Sequence, residues 1–261
     1  MVGLEANSRQ EIDLTFRRLK TGTSRVNDKF RKGTMETKSG EELKSSERTR
    51  VKRFPGRGHY DRATINQILD AAPLAHIAFD NNGPAILPMV FWRIDDHVYF
   101  HGSKRNRMFA ALSASKQCCL VASLIDGFVL ARAALHHSVN YRSVVIYGEA
   151  EEVTDDDAKL NAMKRLIGRF YPGRWEQIRP PSPEEFESLR VFRLPIQEAS
   201  AKIRTGFPVP YEEDFGIPVW AGIIPVGFKL GQPELDPHSR PDTPTQDLGH
   251  LATMLGASVE S

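Results

Sequence analysis

Apolar and polar positions change period several times between residues 60 and 228. "DRATINQILDAAP" sets Ile65, Ile68, Leu69 and Ala72 at the spacing of one helix face, and Pro73 closes the run. "LAHIAF" then reads as a strand, "DNNG" as a hairpin turn and "PAILPMVFWRI" as a second strand. "DD" marks a turn and "HVYFHG" a third strand, after which "NRMFAALSAS" returns to helical spacing. "QCCLVASLI", "GFVLARAAL" and "YRSVVIYGEAEEV" predict three more strands. "DDDAKLNAMKRLIGRFY" is an amphipathic helix with acids in its first turn and Lys and Arg later, matching the helix dipole. "PSPEEFESL" predicts a short helix and "RVFRLPIQEASAKIR" one last long strand. Strands outnumber crossover helices. That pattern argues against a doubly wound parallel sheet and for a mainly β, α+β fold: an antiparallel barrel with helices packed at its ends.

The flanks differ from this folded stretch. Residues 1–57 are dense in Lys, Arg, Glu, Ser and Thr and hold few large apolar side chains, so they predict a disordered basic and polar tail. Its cluster "RTRVKRFPGR" reads as a solvated linker. Residues 229–261 are rich in turn formers and predict a polar tail, leaving 58–228 as the folded domain. The formal net charge of +2 on 261 residues carries no strong nucleic-acid signal, and no such partner is expected. Cys118 and Cys119 are neighbours in an apolar run. They read as reduced core residues, which suits a cytoplasmic protein. No stretch of about 18 apolar residues predicts a membrane span, and no apolar leader segment is seen at the start.

Three stretches carry candidate chemistry. In "YFHGSKRNRM", Gly102 and Ser103 can offer backbone N–H groups and a hydroxyl to an anion, and a helix beginning near Asn106 would aim its positive end at the same spot. Lys104, Arg105 and Arg107 could neutralise a dianion, so the stretch has the makings of a phosphate site; the alternative is a solvated basic turn. "HHSVNYRSVVIYG" sets Asn140, Tyr141, Arg142 and Ser143 ahead of an apolar strand, and the alternative is a polar hairpin end. Nothing completes a metal-ligand set around His136 or His137, so no metal site is expected. In "SAKIRTGFPVPYEEDFGIPVWAGIIPV", Lys202 and Arg204 share one strand face, and Trp220 sits between Pro and Gly, as a site residue or as an aromatic under a loop. Walker, dinucleotide, nucleophile-elbow and zinc-protease motifs are missing.

"LAHIAFDNNGPAILPMVFWRIDDHVYFHGSKRNRMFAAL", "NYRSVVIYG", "AKIRTGFP" and "VWAGIIPV" together resemble the FMN-binding split-barrel superfamily of pyridoxamine 5′-phosphate oxidase, in the flavin-nucleotide-binding branch that includes nitroimidazole-resistance reductases. The resemblance spans about residues 60–228. It implies an antiparallel split β-barrel and a homodimer with FMN between subunits. It also implies that Arg107 and the Gly102–Ser103 loop hold the FMN phosphate, with Lys104 or Arg105 standing in for a second phosphate cation. His101 would lie by the ribityl chain or flavin edge, and Pro88, Met89 and Val90 along the ring. Arg142 and Ser143 match a pair that reaches the flavin, and Trp220 would approach from the partner. Lys202 and Arg204 are the candidate substrate contacts. Met108 stands where the oxidase carries a lysine, and the oxidase's C-terminal substrate signature is missing, so the expected activity is flavin-dependent oxidoreduction of a small molecule other than pyridoxamine phosphate. A flavin carrier or sensor without turnover, and a haem-binding relative with a histidine on the iron, are the alternatives.

Overall fold

The computed structural model of the protein describes residues 41–209 and 211–260. After a short strand β1 (Gly58–His59) comes helix α1 (Arg62–Ala71), capped by Asp61, whose carboxylate accepts the Thr64 N–H. Strands β2 (Ala75–Asp80), β3 (Pro84–Met89), β4 (Phe91–Ile94) and β5 (His97–Ser103) follow, then α2 (Arg107–Ser115). Two long strands come next, β6 (Gln117–Leu130) and β7 (Ser138–Glu149), then the two-residue β8 (Glu151–Glu152). Helices α3 (Asp156–Phe170) and α4 (Pro183–Ser188) lead into β9 (Leu189–Pro195) and β10 (Glu198–Arg204). The chain ends with β11 (Gly222–Pro225), β12 (Lys229–Leu230), α5 (Gly249–Leu255) and β13 (Ser258–Val259).

The strands form two antiparallel sheets. A seven-stranded sheet runs β1-β10-β7-β6-β2-β3, with β11 also on β6; a four-stranded sheet runs β4-β5-β9-β8. Three strand pairs turn from one sheet into the other, β3 into β4, β7 into β8 and β9 into β10. Between the sheets lies a core of α1 residues (Ile65, Ile68, Leu69), α2 residues (Met108, Phe109, Leu112) and inward strand side chains, with Phe100 stacked on both Phe109 and Phe192. A smaller cluster on the outer face of the four-stranded sheet joins Trp92 and Val191 to Ala162 and Leu166 of α3. The two-layer split-barrel reading is confirmed.

Four expected strands resolve differently. "PAILPMVFWRI" is two strands, because the chain bends at Val90 and changes sheets. "QCCLVASLI" and "GFVLARAAL" are one strand with a bulge between Ile125 and Gly127. Gly127 is required there: a Cβ would stand 2.9 Å from the carbonyl oxygen of Ile224 on β11. "RVFRLPIQEASAKIR" turns at Ile196 and Gln197 between β9 and β10; Ile196 is buried and its N–H donates to Asp96 O at 2.8 Å.

The packed region also begins upstream of the expected boundary at residue 57. Leu43 is part of the core, its N–H donates to Tyr60 O at 2.9 Å, and Arg48 pairs with Glu198 of β10. The rest of the expected tail, residues 1–40, lies outside the described residues. Downstream of residue 228, β12 pairs with β13, and the His250 Nε2 is 2.8 Å from Arg169 O. The segment 229–260 therefore carries short elements rather than a featureless tail. Among the described residues no helix is long and apolar enough to cross a membrane. Cys118 is buried and Cys119 partly so, both free, and burial pushes the Cys118 thiol up to about 12.

Candidate functional site

At the end of β5 the chain turns and starts α2. Asn106 caps this helix, its Oδ1 accepting the Met108 N–H at 2.9 Å, and Ser103 Oγ accepts the Arg105 N–H at 3.2 Å. The four expected phosphate groups divide. Lys104 is committed to α4: its N–H donates to Ser188 O at 2.8 Å, and its ammonium pairs with Glu187 at 3.0 Å. Arg105 and Arg107 are exposed, and among the described residues neither side chain has a hydrogen bond or ion pair. Two guanidiniums without a partner among the described residues, beside a helix start, could meet an anion, whereas Lys104 is already paired. Gly102 also has a packing task. A Cβ there would stand 2.5 Å from Cε2 of Phe109, so the glycine lets the core ring pack against the strand.

His101 is opposite Val191 on the small sheet, and its ring meets Trp92 edge-on at 5.8 Å. It therefore faces the layer between that sheet and α3. Its Nδ1 and the Trp92 Nε1 are buried without a partner in this structure, and burial holds the imidazole pKa below its usual value. On the edge strand β3, alternation sends Met89 towards the core and leaves Pro88 and Val90 outside, with Pro88 opposite His76. A flat ring laid along this strand would meet Pro88 and Val90, with only the backbone of Met89.

Arg142 and Ser143 are consecutive on β7, so they point to opposite faces and do not converge within one chain. Arg142 grips Asp126 at the β6 bulge through Nη2 (2.7 Å) and Nε (3.0 and 3.1 Å). Ser143 Oγ donates to Lys202 O at 3.4 Å, and Lys202 stands opposite Ser143 on β10. Arg204 is buried, its guanidinium donating to Asn140 Oδ1 and, at 3.4 Å, to Gly206 O. Trp220 is 61% exposed and leans over Gly222, where a Cβ would come within 2.8 Å of the indole.

Sequence reasoning missed two features. One is Asp126, which sits in a "DG" pair that reads as a turn yet forms the bulge that fixes Arg142. The other is the apolar surface of residues 206–228. Phe207, Val209, Phe215 and Trp220 are all more than half exposed, and Tyr211 stacks on His136 with ring centroids 4.5 Å apart. Val209, Tyr211 and Phe215 line a pocket with Ala131 and Arg132 of the β6–β7 connection. The aromatic spacing in "TGFPVPYEEDF" was the available signal.

A split barrel of two antiparallel sheets, with an arginine-lined strand-to-helix junction on its surface, defines a flavin-binding fold class. A profile of the pyridoxamine 5′-phosphate oxidase family matches residues 61–203, and the chain belongs to this family. Among solved structures, the flavocytochrome Anf3 from Azotobacter vinelandii is 43% identical, with a TM-score of 0.74 over 77% of this chain and 94% of that one. The FAD and haem binding protein from Mycobacterium smegmatis is 29% identical, with a TM-score of 0.70 over 76% and 97%. No curated protein sequence matches.

Proposed function

We propose that the protein is a flavin-binding oxidoreductase that also carries haem and moves electrons between the two. The observation that carries this reading is the 43% identity to a flavocytochrome across nearly that protein's whole length. Shared structure also extends well past the profile match at 61–203, because 77% of the chain is covered. The flanks are therefore part of the likeness.

The residues present fit both groups. Arg105 and Arg107 bind a flavin phosphate at the start of α2, a task FMN and FAD pose alike. Pro88 and Val90 seat the ring, with a second copy of the chain closing the site, and Lys202 borders the cleft for a small-molecule substrate. For haem, the exposed aromatic arm offers apolar area, and Arg132 on the facing loop offers a cation, which shares its pocket with Asp214. When bound, flavin supplies hydride and single-electron transfer and haem supplies single-electron chemistry; the protein supplies position and exclusion of water. FMN was the expectation from the resemblance, whereas the haem-binding relative is described with FAD.

The test is an absorption spectrum of the purified protein, followed by mass identification of what acid releases. Flavin bands together with a Soret band support the reading, and the released mass separates FMN from FAD. Flavin without haem, even after haem addition, leaves the plain flavin oxidoreductase. A colourless chain that takes up no flavin overturns both.

A further inference from the structure

The cluster "RTRVKRFPGR" reads as a solvated linker, yet the chain builds it into a fixed turn. Thr49 is buried, and the Val51 N–H donates to the Tyr60 hydroxyl at 2.9 Å. Val51 packs on Gly58, where a Cβ would stand 2.9 Å from its Cγ2. Between these anchors residues 52–56 are exposed, so the segment projects from the edge of the seven-stranded sheet. At its tip Phe54 has a left-handed backbone (φ 58°, ψ 62°), which a bulky side chain rarely adopts, and its ring is 50% exposed. The Arg57 N–H donates to Phe54 O at 3.0 Å and closes the turn in that conformation.

The five cations of the cluster divide. Arg48 pairs with Glu198, and Glu47 takes both Lys52 (2.5 Å) and Arg50 (3.9 Å). Arg53 and Arg57 have no ion pair or side-chain hydrogen bond among the described residues. Each lies instead over the Phe54 ring, 5.2 and 4.2 Å from its centroid. The ring holds two guanidiniums in place, which reduces the entropy lost when they meet an anion. Strand β1 joins the turn to the sheet and sets Gly58 opposite Lys202, another cation without a partner among the described residues. Burial, and after it the Arg57 charge, hold the Arg204 guanidinium below its usual pKa, so Arg57 also lies near the end of β10. Exposed Phe54 and three unmatched cations thus form a projecting positive patch next to Lys202, which borders the cleft in the reading above.

We infer that this turn is the docking surface for an acidic electron-carrier protein that reduces the bound flavin. A projecting patch suits a protein face, whereas a small ligand takes a concave site. Brief redox encounters use small contacts and electrostatic steering in place of a large apolar area. Aromatic and Arg side chains are the types enriched at the centre of protein interfaces. A formal net charge of +2 supplies no wider basic field for a nucleic acid to follow. In each encounter the carrier loses one electron and the flavin gains it; two encounters and two protons from water complete the reduction. The inference rests on the flavin reading above.

The test uses the full chain purified with its cofactors and an acidic plant-type [2Fe–2S] ferredoxin as the probe. Stopped flow follows flavin reduction by the reduced probe, and calorimetry follows binding of the oxidised probe, each at low and high salt. Wild type, Arg53→Glu, Arg57→Glu, the double variant and Lys164→Glu, a charge reversal on α3, are compared, with urea midpoints to check folding. The wild-type rate should fall by about tenfold or more between low and high salt. At low salt the double variant should lose rate and affinity by about tenfold or more, and Lys164→Glu should stay within about twofold of wild type. Reduction by dithionite and the urea midpoint should not change in any variant. Equal rates in all variants, or a wild-type rate that salt does not alter, overturn the inference and leave the flavin reading standing. A flavin that dithionite reduces and the probe does not has the same meaning. Salt-sensitive binding of a short single-stranded RNA, lost in the double variant while the probe does not bind, overturns it too and assigns the turn to nucleic acid. A chain that takes up no flavin, yet binds the probe and loses it in the double variant, ends the flavin reading and keeps the docking surface.

Discussion

The junction at residues 99–108 and the arm at 206–228 are both surface features, yet they are built in opposite ways. The junction sits on a packed base: Gly102 lies against the Phe109 ring, which stacks on Phe100 and meets Phe192 at a tilt, while the polar side chains Ser103, Lys104, Arg105 and Arg107 reach out. The arm has the reverse arrangement. Its backbone is tied down by β11 and by the Arg204 contact to Gly206, while its large apolar side chains face outward. A polar surface on a rigid base suits a small charged group that the protein finds in water. An apolar surface on a tethered strap, without cover among the described residues, suits a ligand or another subunit.

The strongest way to break the comparison is from below the junction. Phe109→Ala removes the ring that α2 contributes to the core and should cost about 3–5 kcal/mol, read as a fall in the urea midpoint. Gly102→Ala pushes a methyl into the same ring and should cost about 1–3 kcal/mol. Should both variants unfold like wild type, the junction does not depend on the core.

A second comparison keeps the base and changes the charges. Arg105→Ala and Arg107→Ala should each weaken flavin binding by about 10- to 100-fold, the loss of one charge-assisted hydrogen bond of about 1.5–3 kcal/mol. Titration of the apoprotein by flavin fluorescence quenching reads this. The same variants should leave the urea midpoint within about 0.5 kcal/mol of wild type, because neither side chain is bonded to any of the described residues. Lys104→Ala should weaken flavin less than either, since its charge is already met by Glu187. Equal losses for all three would mean that the ion pair breaks on binding.

Most of the architecture was legible because it follows from period. Helix α3, with acids first and cations later, and strands β2, β5 and β7 need only local information. The misread elements are those decided by distant contacts. Nothing in "PMVFW" announces a corner, since Val90 bends only because two sheets must meet there. "PIQ" lacks the Gly or Asn of a familiar hairpin, and its turn is held by Asp96 from another hairpin. At the site, charge was visible but availability was not: Lys104 and Glu187 are 83 positions apart. The strand period of two does place Arg142 and Ser143 on opposite faces. The aromatic spacing of the arm was visible but its exposure was not, because Phe207, Phe215 and Trp220 look like core residues until the fold leaves them outside.

A smaller effect concerns His101, between junction and α3. Burial lowers its pKa in the folded state, so below about pH 6.5 the unfolded chain takes a proton that the folded ring resists. Stability from this group is intact above that pH. It falls as the pH drops towards the folded value, by at most about 1.4 kcal/mol per pH unit. His101→Phe should flatten this part of the profile of urea midpoints between pH 7 and 5. An unchanged slope would place the acid sensitivity elsewhere.

The smallest expected effect is the most telling about the arm. Phe215 is 60% exposed, so Phe215→Ser gives up little burial within the chain and should change the urea midpoint of the apoprotein by no more than about 0.5 kcal/mol. The same change in a buried phenylalanine costs several times that. If the arm exists to cover a ligand or a second subunit, the variant should instead lose bound haem or shift the sedimentation profile towards monomer at equal apoprotein stability. A large loss of apoprotein stability would show that Phe215 packs inside its own chain, and the contrast between junction and arm would then fail.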